Sequence, residues 1–275
     1  MPTELPLPTT DFTLLFPDHY LRARTLRHPS PAADGRPWLV LLHDSLGSIR
    51  LWRDLPARLA TALECHLLLY DRRGYGESAP LGPHPRTPAY LEEEAQTIPA
   101  VLAACGITRA VLFGHSDGGT LALLAAATAP ALVAAAVTIG AHVFVEEETL
   151  RGIRAARQQY TTTELPQRLA RYHGANTEGL FRAWTDTWLS PAFRAWNIEP
   201  YLPRVQCPVL VLQGTHDEYG TEAQVAAIAG QVAGPAQAKL LEGLGHTPHR
   251  QDPALVVHLT ATFLRPYLGL GPLPG

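Results

Sequence analysis

The chain lacks the features that mark several large classes of protein. It has one lysine, Lys239, against 21 arginines, with no long run of either charge and a net charge of −3. It has no stretch of about 18 apolar residues, the length that a membrane-spanning helix needs. Its first residues, MPTELPLPTTDF, carry neither the basic nor the apolar region of a secretory signal. We therefore expect a cytoplasmic protein with neither nucleic-acid nor membrane partners.

Cysteine is also scarce. The three cysteines, Cys65, Cys105 and Cys207, are odd in number, and their spacing matches no metal site. We expect each of them to fill core space as a small hydrophobic residue, as is usual in a reducing compartment.

Apolar sequence, in contrast, is plentiful. With 275 residues and 46% hydrophobic content, the chain can bury one large core. Short apolar runs alternate with stretches of helical spacing, which is typical of parallel strands buried on both faces. The runs are FTLLF and YLRARTL, forming an opening hairpin, and residues 38–43, 66–71, 110–116, 132–140, 208–214 and 238–243. The sequence predicts an α/β fold with a mostly parallel sheet of about eight strands, flanked by helices.

The alternation is interrupted once, between residues 141 and 203. This segment has no strand-like run, and it holds nine of the chain's 21 Phe, Trp and Tyr residues. Its acidic and basic residues balance, with seven of each. We interpret it as a helical cap inserted after the sixth strand, with a core domain over residues 1–140 and 204–275. An ordinary helical layer of the core is the alternative.

Residues 114–118, GHSDG, place a serine between two glycines, directly after a predicted strand and before a predicted helix. In that context the pattern G-x-S-x-G indicates a nucleophile elbow, a turn so sharp that the serine hydroxyl stands clear of the sheet. Gly114 and Gly118 would remove side chains that collide across the turn. We predict that Ser116 is a nucleophile and not merely the N-cap of the helix.

A serine hydroxyl needs a base to take its proton, and sites form at the carboxyl ends of parallel strands. His246 follows the last predicted strand and is the preferred base, with His249 as the alternative. Asp217 follows the preceding strand and is the preferred acid, which would orient the imidazole and stabilise its protonated form. Asp186 and Asp252 fit this role less well. Spacing alone does not distinguish Asp217 from the adjacent Glu218.

Five motifs, LLHDSLGS, YDRRGYGES, GHSDGG, GTHDEYG and GLGHTPH, together resemble those of the α/β-hydrolase-fold serine hydrolases. The resemblance covers nearly the whole chain and implies a capped, cofactor-free, esterase-like enzyme with a triad of Ser116, Asp217 and His246. In YDRRGYGES it implies structural roles for three residues: Asp71, Arg73 and Ser78. Haloalkane dehalogenases and epoxide hydrolases of this fold need an aspartate at the position of Ser116, which excludes both activities.

One motif departs from the family's pattern. Where relatives usually carry His-Gly-x-Gly at the oxyanion loop, this chain has His43-Asp44-Ser45. By position, the N–H groups of Ser45 and Asp117 would form the oxyanion hole. A carboxylate aimed into the hole would oppose the developing charge, so we expect Asp44 to point away. Four arginines are candidates to pair with it: Arg50, Arg53, Arg72 and Arg73.

These residues predict hydrolysis of an ester or related acyl bond in a small to medium substrate, aromatic ones included. The reaction would pass through an acyl-enzyme and need neither a metal nor an organic cofactor. Four residues are predicted to line the substrate pocket, although the aromatics could equally serve only to pack the cap: His142, Phe144, Trp184 and Trp188. Three alternative functions stay open: a C–C bond hydrolase of ring-cleavage products, a lyase and a ligand-binding protein of low turnover. A homodimer stays open as the oligomeric state.

Overall fold

A computed structural model describes residues 7–82 and 84–273. Its strands form one sheet in the order β1-β2-β4-β3-β5-β6-β7-β8. The strands are β1 (Thr9–Leu15), β2 (Tyr20–Leu26), β3 (Trp38–Leu42), β4 (Leu67–Tyr70), β5 (Ala110–His115), β6 (Val133–Ile139), β7 (Val209–Gly214) and β8 (Ala236–Leu241). β2 pairs antiparallel with β1 and β4, while β3 to β8 are parallel. The predicted fold class is confirmed.

The α-helices connect these strands and cover both faces of the sheet. They are α1 (Leu55–Leu63), α2 (Tyr90–Ala95), α3 (Ile98–Ala104), α4 (Asp117–Thr128), α5 (Glu147–Thr162), α6 (Leu165–His173), α7 (Thr177–Trp188), α8 (Glu222–Gln231), α9 (Pro248–Gln251) and α10 (Pro253–Leu264). The sequence analysis did not foresee α2 and α3. They have six and seven residues, too few for a helical period to stand out.

The apolar runs of the inner strands follow from burial on both faces. In β3, Val40 and Leu42 pack into the hydrophobic cluster on one side of the sheet, and Leu39 and Leu41 into the cluster on the other. The edge strand β8 differs, because five of its six residues are exposed. Without a buried pattern to mark its start, the sequence located this strand two residues too late, at residue 238 instead of Ala236.

Helix α4 begins directly after Ser116, and all of its residues except Thr128 are buried. A helix that is apolar all round belongs inside a protein, and α4 lies between the sheet, α2 and a short 3₁₀ helix over Glu199–Arg204. The turn that carries Ser116 is thus fixed between a central strand and a central helix.

Helices α5, α6 and α7 occupy the segment between β6 and β7 where a cap is predicted. Within it, the rings of Trp188, Phe193 and Trp196 pack on one another, with centroids 4.9–5.6 Å apart. Some of the aromatic residues therefore hold this segment together, as the packing alternative requires. The division into a core domain and a cap stays a prediction. Over the described ranges, each helix is too short or too polar to traverse a bilayer.

Candidate active site

Ser116 lies at the turn between β5 and α4 with φ 53° and ψ −120°. A non-glycine residue in such a conformation costs on the order of 1–3 kcal/mol and persists only where its surroundings enforce it. Its N–H donates to the carbonyl of Ile139 at 2.8 Å. A Cβ on Gly114 would collide with the backbone of Gly118, and a Cβ on Gly118 with the carbonyl of Leu42. The two glycines of GHSDG therefore permit this strained turn.

His246 and Asp217 meet at the carboxyl ends of the strands. The Nδ1 atom of His246 lies 2.9 and 3.0 Å from the two carboxylate oxygens of Asp217, whose side chain is 1% exposed. The N–H of Tyr219 also donates to Asp217, at 2.9 Å. With its proton on Nδ1, the neutral ring has a free lone pair on Nε2, which is the form a general base needs.

The same pair sets the proton affinity of the ring. Burial lowers the pKa of His246, but the nearby carboxylates, Asp217 foremost and then Glu218 and Asp44, together outweigh burial and raise this pKa above its usual value. Ser116 and His246 line one cavity. Among the described residues no hydrogen bond joins the Ser116 hydroxyl to the imidazole. Catalytic contacts of this kind are often long before substrate binds and tighten in the complex.

The sequence analysis missed Gly140, which follows β6 with φ 56°. A Cβ there would lie 3.0 Å from Cε1 and Nδ1 of His246 and 3.2 Å from Oδ2 of Asp217. The glycine therefore leaves room for the His–Asp pair. The one available signal was its position at the carboxyl end of a predicted strand.

Replacing Gly140 by alanine is expected to lower kcat for ester hydrolysis by about tenfold, because the added Cβ would displace the His246–Asp217 pair. A tenfold loss corresponds to an activation free energy raised by about 1.4 kcal/mol. Gly106→Ala is the matched control: Gly106 has φ 68°, but a Cβ added there would meet no atom within 4 Å. Both variants should lose about 1–2 kcal/mol of stability through backbone strain. Melting curves and kcat separate the two effects. Equal kcat in both variants would show that crowding at Gly140 does not matter.

The predicted oxyanion donors, the N–H groups of Ser45 and Asp117, belong to residues that line the cavity. In the described part of the chain neither N–H is hydrogen-bonded to another residue. The Asp44 carbonyl, in the same peptide unit as the Ser45 N–H, contacts His43 Nδ1 at 2.8 Å and accepts from Arg72 Nη2 at 3.1 Å. A trans peptide directs its C=O and N–H oppositely, so these contacts aim the Ser45 N–H away from Arg72.

Arg72 also contacts the side chain of Asp117, the residue whose N–H is the second predicted oxyanion donor. Its Nη2 lies 3.5 Å from Oδ2 of Asp117, and its Nη1 donates to Glu94 of α2 at 3.1 Å. The same Asp117 oxygen accepts from the hydroxyl of Tyr90 at 3.3 Å. The indole N–H of Trp188 in turn donates to that hydroxyl at 2.8 Å. The contacts with Arg72 and Tyr90 fix the orientation of the Asp117 side chain.

The expectation that an arginine pairs with the carboxylate of Asp44 was wrong. Within the described chain none of the four candidate arginines forms an ion pair with it; its Oδ1 lies 3.7 Å from Nδ1 of His115. The physical reason is that Arg72 is directed by its carboxylate partners, Glu94 and Asp117. Arg73 pairs with Asp18 instead, at 2.7 Å.

The remaining alternatives lie outside the site or have other contacts. His249 packs between the rings of His115 and Trp52. The Glu218 carboxylate accepts from the backbone N–H of His246 at 3.1 Å. Asp186 lies at the surface, 3.8 Å from Arg157, and Asp252 caps α10 by accepting from the N–H of Leu255 at 2.9 Å.

The motif YDRRGYGES packs beside the oxyanion loop. Asp71 accepts from the backbone N–H groups of Ile49 and Glu77 at 2.7 and 2.9 Å. The Ser78 hydroxyl donates to the carbonyl of Asp71 at 2.5 Å. These bonds hold loops together, which agrees with the structural role that the resemblance implies for both residues.

A cavity of about 180 Å³ opens in front of Ser116. Of the four predicted pocket residues, His142, Trp184 and Trp188 line it. Phe144 is not among its lining residues; the backbone of Phe144 forms an isolated antiparallel bridge with Asn197. Besides these three and Ser45, Ser116, Asp117 and His246, the cavity is lined by Asp44, Leu46, Thr149, Ile153, Glu218, Tyr219 and Thr247.

Residues 37–199 match the family model described as "alpha/beta hydrolase fold". The chain belongs to the α/β-hydrolase-fold family. This α/β-hydrolase is 27% identical over 261 residues to a 2-succinyl-6-hydroxy-2,4-cyclohexadiene-1-carboxylate synthase of Enterobacter sp. (strain 638), covering 84% of this chain and 93% of that one. It is 32% identical over 162 residues to the serine hydrolase BPHL of Homo sapiens, covering 55% and 53%.

Solved structures of low sequence identity share the fold of this α/β-hydrolase. A hydrolase from Pseudomonas aeruginosa PA01 superposes with a TM-score of 0.72 at 22% identity, covering 93% of this chain and 98% of that one. The enol-lactonase from Burkholderia xenovorans LB400 gives 0.69 at 22% identity, covering 92% and 99%.

Proposed function

We propose that this α/β-hydrolase cleaves an ester or related acyl bond of a small substrate, with Ser116 as nucleophile, His246 as base and Asp217 as its orienting acid. The observation that carries the proposal is the strained Ser116 sharing a cavity with the Asp217-bound imidazole. The family and the relative named as a serine hydrolase support hydrolysis.

In the proposed reaction, Nε2 of His246 takes the hydroxyl proton of Ser116 while Oγ attacks the carbonyl carbon. The negative charge that forms on the carbonyl oxygen is stabilised by the N–H groups of Ser45 and Asp117. His246 then gives the proton to the leaving alcohol, which departs as the C–O bond breaks. Water, deprotonated by the same imidazole, attacks the acyl-enzyme and releases the acid and Ser116.

The test is hydrolysis of p-nitrophenyl esters from acetate to octanoate, with benzoate included. The cavity of about 180 Å³ is smaller than most ligand sites, which span about 300–1,000 Å³, so short acyl chains should react fastest. Inactivity of the protein on every ester would reject the esterase proposal.

A lyase-type reaction is the second candidate, favoured by the match to a synthase over 84% of this chain. Such a reaction would release its product without consuming water. Running turnover in ¹⁸O-labelled water distinguishes the two, because only hydrolysis incorporates the label into the acid product.

We expect activity to fall at acidic pH with a midpoint above 6.5. His246 must be neutral to act as a base, and its pKa is raised above 6.5 by Asp217 and, more weakly, by Glu218. Activity is therefore lost as pH falls through this raised value. Glu218→Gln, which keeps a hydrogen-bond acceptor, should move the midpoint of kcat/KM downward. A wild-type midpoint at or below 6.5 would contradict the assignment of His246.

A further inference from the structure

We propose that the substrate of this site carries a positively charged group, such as an ammonium, bound beside Asp44. Because this assigns a substrate class to the site described above, it rests on the proposed function. It follows from three features of the cavity wall: its charges, its hydrogen-bonding groups and its aromatic rings.

All charged side chains that line the cavity are acidic: Asp44, Asp117 and Glu218. Arginine and lysine are absent from this lining in the described part of the chain. The carboxylate of Asp117 is balanced by Arg72 at 3.5 Å. Asp44 and Glu218 form no ion pair with an arginine or lysine of the described residues. The cavity therefore presents two carboxylates that have no arginine or lysine nitrogen within 4 Å among the described residues; Arg250 lowers the pKa of Asp44 only from a greater distance.

His115, which lies beside the Asp44 carboxylate, does not supply a positive charge. Nε2 of His115 contacts the carbonyl oxygen of His246 at 2.8 Å, so the ring's proton belongs on Nε2 and the neutral form has a lone pair on Nδ1. That Nδ1 lies 3.7 Å from Oδ1 of Asp44, beyond hydrogen-bonding distance. Burial lowers the pKa of His115, which favours the neutral ring. The Asp44 side chain is 22% exposed and can reach a ligand.

A second group in the wall also favours a hydrogen-bond donor. His142 is 4% exposed and its Nε2 contacts the carbonyl oxygen of Tyr219 at 3.0 Å. The proton therefore sits on Nε2, leaving an acceptor on Nδ1, which is buried without a partner. An ammonium N–H could donate to this atom. The backbone N–H groups of Ser45 and Asp117, which could bind an anionic ligand, are used by the proposed reaction.

Aromatic rings complete the wall. Trp184, Trp188 and Tyr219 line the same cavity as Asp44. Tryptophan and tyrosine faces attract cations, most strongly where water is excluded, and groups of them recognise quaternary ammonium ligands. Carboxylate, free acceptor and aromatic rings thus select the same class of ligand: one with a positive charge.

Two pairs of esters of matched shape test the proposal on wild-type protein. For the alcohol side, acetylcholine is compared with 3,3-dimethylbutyl acetate, which replaces the ammonium nitrogen by carbon. For the acyl side, the p-nitrophenyl ester of 6-aminohexanoate, whose ammonium carries N–H donors, is compared with that of heptanoate, which replaces the ammonium by a methyl group. In at least one pair kcat/KM should be about tenfold to hundredfold higher for the cation, and the preference should shrink with salt. Equal rates, or faster neutral esters in both pairs, would overturn the proposal and leave the esterase function intact.

Asp44→Asn should reduce the preference for the cation towards one. Asp186→Asn removes the same charge from an exposed site that pairs with Arg157 and should keep it. If the wild-type protein hydrolyses none of the four esters, the panel of p-nitrophenyl esters described above still tests the proposed function, and calorimetry with choline and with 3,3-dimethyl-1-butanol decides the present proposal. Tighter binding of choline, lost in Asp44→Asn, supports it; equal binding of both alcohols refutes it. Should Asp44→Asn not fold, the wild-type comparison alone decides between these outcomes.

Discussion

Ser116→Ala is expected to remove almost all ester hydrolysis, with kcat falling by up to about 10⁶. The hydroxyl is the proposed attacking group, and alanine at this position offers nothing that can form an acyl-enzyme. Binding and the oxyanion donors would remain, so a small residual rate above that in water is expected. The measurement is single-turnover and steady-state hydrolysis of the short-chain p-nitrophenyl esters on which the wild type is most active.

A phosphonate inhibitor that labels activated serines provides the control for this variant. Wild-type protein should gain the mass of one phosphonyl group, while Ser116→Ala should gain none. A melting curve shows whether the variant folds, and alanine at the turn with φ 53° should not lower its stability much. Undiminished hydrolysis in Ser116→Ala would show that another residue is the nucleophile.

The positions of Ser116, Asp217 and His246 could be predicted from sequence because each follows a strand at its carboxyl end. In a parallel sheet these ends lie on one edge, so their order along the chain implies their proximity. The elbow was visible for a similar reason, since the requirement for small residues at Gly114 and Gly118 acts within one short segment. A turn whose geometry depends only on residues close together in the chain can therefore be predicted from the sequence.

Contacts between distant segments could not be predicted in the same way. Arg72 appeared only as one of four candidates for the Asp44 carboxylate, whereas its carboxylate partners are Glu94, on a helix too short to detect, and Asp117. Gly140 matters because of His246, more than a hundred residues later. Phe144 was assigned to the pocket from its place after β6, but it lies outside the cavity lining and its backbone is bridged to Asn197. Each of these depends on packing between segments, which periodicity does not report.

Arg72 is expected to be a positioning residue for the oxyanion hole, and Arg72→Lys should lower kcat by about 10²–10³, as loss of one oxyanion donor does. The guanidinium, 1% exposed, bonds Glu94 and the carbonyl of Asp44 and lies beside Asp117. A lysine keeps the positive charge but lacks the planar fork that serves several acceptors at once. Without that fork the Asp44 carbonyl keeps only its contacts with His43 Nδ1 and the Gly47 N–H, so the 44–45 peptide is held less firmly and the Ser45 N–H is less well aligned with the forming oxyanion.

The split between kcat and KM separates this role from a structural one. Interactions made only in the transition state lower kcat and leave KM nearly unchanged, so KM of Arg72→Lys should stay within about threefold of wild type. A trifluoromethyl ketone, which forms a tetrahedral adduct with the serine, should lose affinity in parallel with kcat. Arg73→Lys is the matched control, because its guanidinium pairs with Asp18 away from the site, and its kinetics should be unchanged.

Lysine is chosen over methionine at position 72 because removing the charge would leave Glu94 and Asp117 without their cation. Breaking a buried ion pair from one side costs about 3–5 kcal/mol, enough to confuse loss of fold with loss of alignment. If Arg72→Lys instead raises KM at constant kcat, or binds the ketone as tightly as wild type does, then Arg72 serves only the packing of the loops. A parallel loss of kcat and ketone affinity would mean that Arg72, the first arginine of YDRRGYGES, orients the proposed oxyanion donors through its contacts with the Asp44 carbonyl and the Asp117 carboxylate.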